Sequence, residues 1–212
     1  MVKKGFLVLF FAVFAARVTF AMPDLSFSVG AGAYFAGDFG SGVSGTIDNV
    51  NVSVRMPHFG GGGFIFLDAT FVELSLGFFG AGGGNITGFG TGGNTTITGL
   101  DIGLLGKYPV VMSNELTIFP LLGINYRVAL TLTMSEVSYH GCSPDLSALW
   151  FKAGGGMDFS FTEQVFVRGQ VLYGLRLRNR LERAVINQAS PEINNARLGH
   201  GLTVKFAVGY RF

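Results

Sequence analysis

Residues 202–212 read LTVKFAVGYRF. Leu202, Val204, Phe206, Val208, Tyr210 and Phe212 share one parity, and Thr203, Lys205, Ala207, Gly209 and Arg211 share the other. Successive side chains of a strand point to opposite faces. One face of this strand is therefore uniformly apolar and the other small or charged. What decides the fold is whether a packed core or lipid covers the apolar face.

Eight segments show the same period of two: Leu25–Phe35, His58–Leu67, Thr70–Phe79, Thr98–Tyr108, Leu116–Arg127, Ala148–Phe161, Gln164–Leu177 and Gly199–Phe212. Val72, Leu74, Leu76 and Phe78 oppose Glu73 and Ser75, and Val171, Tyr173 and Leu175 oppose Arg168, Gln170 and Arg176. Within these segments each charge keeps the parity opposite the apolar stripe. The second segment is the weakest, because Gly60–Gly63 loosens it and Phe64, Ile65, Phe66 and Leu67 are all apolar. Many segments exceed the usual strand of about 5–6 residues. They match the roughly 9–11 tilted residues that a bilayer requires.

The connections sort by length. Short ones fall near Asp68-Ala69, at Pro109–Glu115 and at Thr162-Glu163; long polar ones fall at about 36–57, 80–97, 128–147 and 178–198. Transmembrane barrels have short periplasmic turns, long outer loops and an even strand number. The expected fold is all-β: an eight-stranded antiparallel up-and-down transmembrane β-barrel over residues 22–212, with its four loops facing outside.

Residues 1–21, MVKKGFLVLFFAVFAARVTFA, are expected to be a cleaved secretory signal peptide, with Lys3 and Lys4 before a short apolar run and small residues at the cut. Removing Lys3, Lys4 and Arg17 leaves 12 basic against 13 acidic residues, so overall charge offers no argument for nucleic acid. A single cysteine, Cys142, excludes an internal disulfide framework. Charged residues make up only 13% of the chain, yet beyond residue 21 no apolar run reaches the length of a membrane helix.

The chain resembles the small eight-stranded outer-membrane barrels of diderm bacteria, the group of the OmpA transmembrane domain, OmpX and OmpW. The likeness covers the whole of 22–212 and is one of architecture. The segment LGKYPVVMSNELTIFPLLGINYR (105–127) also looks like the Lys-Tyr-Pro turn and following strand of a widespread outer-membrane barrel family with spirochaetal members. The resemblance implies that Tyr210 and Phe212 form the signal read by the barrel-assembly machinery. It also implies an outer-membrane location, a lipid environment, a monomer and no cofactor.

Parity places Glu73, Asp101, Lys107, Arg127, Lys152, Asp158, Arg168, Arg176, Lys205 and Arg211 in the lumen. Eight strands enclose a space just wide enough for side chains to fill, and charges at that depth must be paired. A salt-bridged plug and a narrow small-solute channel both remain open. Arg176, Arg178, Arg180 and Arg183 crowd the fourth loop with Glu182 as the one acid among them, a candidate anion-binding mouth or an ordinary solvated strand end.

No catalytic or metal site is expected. His140, Cys142, Ser143 and Asp145 share one loop, but they lack both spaced metal ligands and a nucleophile elbow. The glycines of GAGGGNITGFGTGG (80–93) precede a strand rather than a helix, which argues for a mobile surface loop and against a phosphate cradle. Function is expected to be structural or a narrow channel. The alternative is a surface adhesin that binds a host ligand through the four loops.

Replacing Phe212 by Ser is expected to impair assembly in cells more than it lowers stability, since one buried ring contributes only about 1.5–3 kcal/mol. Outer-membrane abundance compared with refolding into lipid from urea measures the two effects separately. A mutant that reaches the membrane in normal amount would reduce Phe212 to an ordinary interfacial ring.

Overall fold

A computed structural model describes residues 25–39, 42–47, 50–55, 59–88, 91–134, 137–140, 147–177 and 199–212. The expected signal peptide lies outside these residues, as does the segment 178–198.

Eight long strands form the wall: β1 (Phe27–Phe39), β4 (Phe59–Ala69), β5 (Val72–Gly88), β6 (Thr91–Lys107), β8 (Leu116–Met134), β10 (Ala148–Ser160), β11 (Val165–Arg176) and β12 (Gly199–Arg211). Four short strands accompany them: β2 (Gly42–Ile47), β3 (Val50–Arg55), β7 (Val110–Val111) and β9 (Val137–His140). Every pairing is antiparallel, and the ring closes because β1 pairs with β4 on one side and with β12 on the other. The fold is a closed eight-stranded up-and-down barrel. Turns at 70–71, 108–115 and 161–164 lie at one end, here the turn end, and the long connections lie at the other, the loop end.

The doubtful second segment is a full strand. β4 runs in unbroken register with both neighbours. Its glycines permit close approach: a Cβ on Gly60 would meet Ala81 Cα at 2.6 Å, and one on Gly62 would meet Phe79 Cα at 3.0 Å. The uniformly apolar run after them also acquires faces, with Phe64 and Phe66 inside and Ile65 and Leu67 outside.

Three segments expected as loops carry strand. β1 continues to Phe39, β2 and β3 form a hairpin beside β5, and β5, β6 and β8 reach 17, 17 and 19 residues. The β-branched runs Ile86-Thr87 and Thr95–Thr98, and the alternation of 128–134, supply the propensity that the surrounding glycines and polar residues masked. Gly82–Gly84, expected in a mobile loop, forms a bulge within the β5–β6 ladder. Gly83 has φ of 91°, a conformation glycine adopts without a Cβ clash.

The alternation becomes a two-faced wall. Phe206, Val208, Leu122, Ile65 and Phe35 are each more than half exposed on the outer surface, while Phe66, Leu105, Phe119, Leu172 and Phe166 are buried inside.

Candidate functional site: the barrel interior

The tight turn at 161–164 sets Asp158 opposite Arg168 as direct cross-strand partners on β10 and β11. Arg168 Nε and Nη2 donate to the two Asp158 carboxylate oxygens at 2.7 Å each. The same guanidinium crosses the lumen. Its Nη1 donates to Glu73 Oε2 on β5 at 2.8 Å, and Nη2 lies 2.6 Å from Asp68 Oδ2 on β4. Since β5 stands four strands from β11 either way round the ring, Arg168 bridges the full diameter.

Glu73 is 0% exposed and gathers further partners. Gln170 Nε2 donates to Glu73 Oε2 at 2.6 Å, and Lys205 Nζ lies 3.8 Å from Glu73 Oε1. Lys107 Nζ pairs with Asp68. Three carboxylates, Asp68, Glu73 and Asp158, thus face three cations, Lys107, Arg168 and Lys205, in the turn-end half. Rings pack around the guanidinium: Phe66, Phe166 and Phe119 centroids lie 4.6, 5.1 and 5.3 Å from Arg168 Cζ. A guanidinium is weakly hydrated and stacks on aromatic faces, so this cation tolerates a drier shell than an ammonium.

A second group lies in the loop-end half. Asp101 on β6 accepts from Asn125 Nδ2 at 2.5 Å and from Arg127 Nε at 3.1 Å, both on β8. Arg127 Cζ sits 5.4 Å from the Phe79 centroid and 5.2 Å from that of Trp150. Lys152 on β10 donates to Thr203 Oγ1 on β12 at 3.2 Å. Arg176 Nε lies 3.7 Å from Asp38 Oδ2.

Solved structures align over nearly the whole chain, and two of them have a TM-score of 0.51. One is OprG of Pseudomonas aeruginosa, 13% identical, covering 89% of this chain and 96% of that one at a TM-score of 0.51. The other is Neisserial surface protein A, 9% identical, covering 88% and 97% at a TM-score of 0.51. The chain has the fold of the small eight-stranded outer-membrane barrels. No protein-family model matches the sequence, and no curated protein matches it either. At these identities the likeness is one of fold.

Within this barrel, Glu73, Asp101, Lys152, Asp158, Arg168, Arg176 and Lys205 are buried, and Lys107, Arg127 and Arg211 are partly buried. Arg211, at the turn end, lies 5.2 Å from the Phe166 centroid. Of the four arginines expected at an anion-binding mouth, Arg176 is buried beside Asp38, and Arg178, Arg180 and Arg183 fall outside the described residues. Cys142, Ser143 and Asp145 fall outside them too. Tyr210 and Phe212 point outward with ring centroids 5.3 Å apart, and Phe212 N–H donates to Phe27 O at 2.9 Å. Among the described residues no group of three His, Cys, Asp or Glu side chains is placed to hold a metal.

Two further acids belong to the interior. The sequence pattern puts Asp68 in a turn and Asp38 in a loop, but both are buried on strands. The missed signal was parity: Phe64, Phe66 and Asp68 form one inward series, and Tyr34, Ala36 and Asp38 another.

The network changes what a single substitution leaves behind. Asp158→Asn leaves Arg168 with two carboxylates, whereas Arg168→Gln takes the shared cation from three, leaving Asp68 with Lys107, Glu73 with Gln170 and Lys205, and Asp158 without its ion pair. Unfolding in lipid should show Arg168→Gln as the costlier, by about 3–5 kcal/mol for breaking a buried pair, and strong coupling between the two sites. Coupling near zero, as for a solvated pair worth about 0–1 kcal/mol, would mean that water reaches Arg168.

Proposed function

We propose that this chain is an integral outer-membrane barrel with a sealed interior, a structural, bilayer-anchored scaffold for the segments at its loop end. The observation that carries this reading is the Arg168 bridge. Bonds from β11 to Glu73 and Asp68 on the far wall, with three rings packed about the guanidinium, support a turn-end half held by side chains rather than by water.

The outer surface supports insertion in a membrane. An apolar band this continuous needs an apolar medium, and its aromatic margins suit the interfaces that flank a bilayer. Phe159, Phe161, Tyr210 and Phe212 gather at the turn end, and Phe35, Phe39 and Phe59 at the loop end. In this reading the turn end is periplasmic, the partners are outer-membrane lipid and, during biogenesis, the assembly machinery, and the barrel is a monomer.

A second reading, recognition of a host ligand or solute through the outer loops, is favoured by strand length. A 19-residue β8 spans about 63 Å at roughly 3.3 Å per residue, well beyond a tilted crossing of a ~30 Å hydrocarbon core. The wall formed by β5, β6 and β8 therefore projects past the bilayer and carries the β2–β3 hairpin and β9 with it.

In planar bilayers the refolded protein should give no discrete single-channel steps, and Val171→Arg, on the outer belt, should lower stability in lipid by about 2–4 kcal/mol. Stepwise conductance of the wild type would replace the sealed scaffold with a channel. Unchanged stability of Val171→Arg would contradict the lipid-facing assignment.

A further inference from the structure

On the outer face the apolar band changes character toward the loop end. Along β6 the outward series Leu104, Ile102 and Leu100 gives way to Thr98 and Thr96. Along β5 the outward series Leu74, Leu76 and Phe78 gives way to Gly80 and Gly82. The facing is fixed by the residues between them, since Phe79, Ala81, Thr95 and Ile97 are all buried. Register sets Gly80 between Gly61 and Thr98, and Gly82 between Phe59 and Thr96. A floor without side chains therefore lies on β5, with the exposed Phe59 ring on one flank and two threonines on the other. The floor is open. A Cβ on Gly82 would meet Thr96 Oγ1 at 3.5 Å, and one on Gly80 would meet only Thr98 Cγ2, at 4.0 Å. Phe78, 54% exposed, closes the slot toward the band. From β4 to β6 is two strand spacings, about 9.6 Å, which leaves room for one ring-sized group between the flanking side chains.

The chemistry of the slot narrows what it can hold. Among the described side chains around it on this face none is charged, so nothing there selects a phosphate or a carboxylate. Its backbone groups are already used, because β5 pairs with both β4 and β6 at these positions. An extended peptide finds no free edge to join. The Thr96 and Thr98 hydroxyls can each donate and accept, and neither makes a hydrogen bond among the described residues. An aromatic ring facing a pair of hydroxyls across a bare floor suits a neutral sugar, which stacks its C–H face on the ring and exchanges hydrogen bonds at its rim. Depth selects the source. Counting from Val72, Gly82 completes the roughly 9–11 residues with which a tilted strand crosses a bilayer, so the slot opens at the loop-end interface.

We propose that this slot binds the sugar headgroup of a neutral glycolipid of the loop-end leaflet, stacked on Phe59 and hydrogen-bonded by Thr96 and Thr98. The acyl chains lie on the apolar band, which is continuous with the slot at Phe78 and Leu100. The proposal rests on insertion of the outer band in a membrane and is independent of what fills the lumen.

Native mass spectrometry of the full-length protein refolded in detergent micelles counts bound lipid directly. The titrants are a monogalactosyl diacylglycerol, a phosphatidylcholine and a diacylglycerol, all with the same acyl chains. The monogalactosyl lipid should bind at least about tenfold more tightly than either of the others. Thr96→Val combined with Thr98→Val removes both hydroxyls while keeping β-branched strand formers, and should lower its binding to the diacylglycerol level. Gly80→Leu should do the same by filling the floor, where a Cβ meets only Thr98 Cγ2 at 4.0 Å. The double variant carries the test should Gly80→Leu not refold. Equal binding of the three lipids, preference for the phosphatidylcholine, or an unchanged preference in the folded double variant would each overturn the proposal. Equal affinity for methyl galactoside would also overturn it, by making the slot a site for free saccharide. Failure of the wild type to insert into lipid vesicles would overturn the membrane reading, and the proposal with it.

Discussion

Arg168 is held by carboxylates from three different strands, and the interior is arranged around that one cation. Eight strands leave room for side chains and little else. A guanidinium at the centre of such a space must therefore find its counter-charges there. Asp158 comes from the adjacent strand through the register of a tight turn, and Glu73 and Asp68 come from the opposite wall. Closure of the barrel brings the second pair within reach. Ion pairing and ring closure are thus coupled: with β1 and β12 parted, Glu73 and Asp68 would no longer face Arg168 across a lumen.

The wall carries both faces at little cost in volume because glycine and aromatic positions are matched. Gly174 and Gly201 make the flat on which Trp150 lies, and Gly60 and Gly62 let the backbones near Ala81 and Phe79 close in. Inside, rings pack against cations; outside, rings and aliphatic chains form the apolar band. The same side-chain chemistry therefore serves two surroundings, separated by a single pleated layer.

The outward face was almost wholly legible in the sequence, because a period of two is a local property and Leu202 to Phe212 display it without exception. The Asp158–Arg168 pair was legible for the same reason, since a short turn fixes the register of its hairpin. Three things were not. The partnership of Arg168 with Glu73 depends on how eight strands close, which no local pattern encodes. The facing of Phe64 and Phe66 could not be read from an unbroken apolar run, and only pairing with β1 and β5 on either side decides it. The extensions of β5, β6 and β8 were hidden because glycine-rich and threonine-rich segments look like loops until a neighbouring strand supplies their hydrogen bonds. The arginines at 178, 180 and 183 belong to a segment outside the described residues, so the outer mouth rests on sequence alone.

The interior depends on an Arg168 guanidinium that is buried and bonded through all three of its nitrogens. The exchange of its side-chain protons with deuterated solvent, followed by NMR in lipid nanodiscs, measures this directly, because exchange requires either solvent at the group or opening of the structure around it. The Arg168 guanidinium protons should be separately resolved and exchange far more slowly than those of a solvated arginine. Averaged signals exchanging at the rate of a free side chain would contradict it, and would mean that water fills the turn-end half of the barrel.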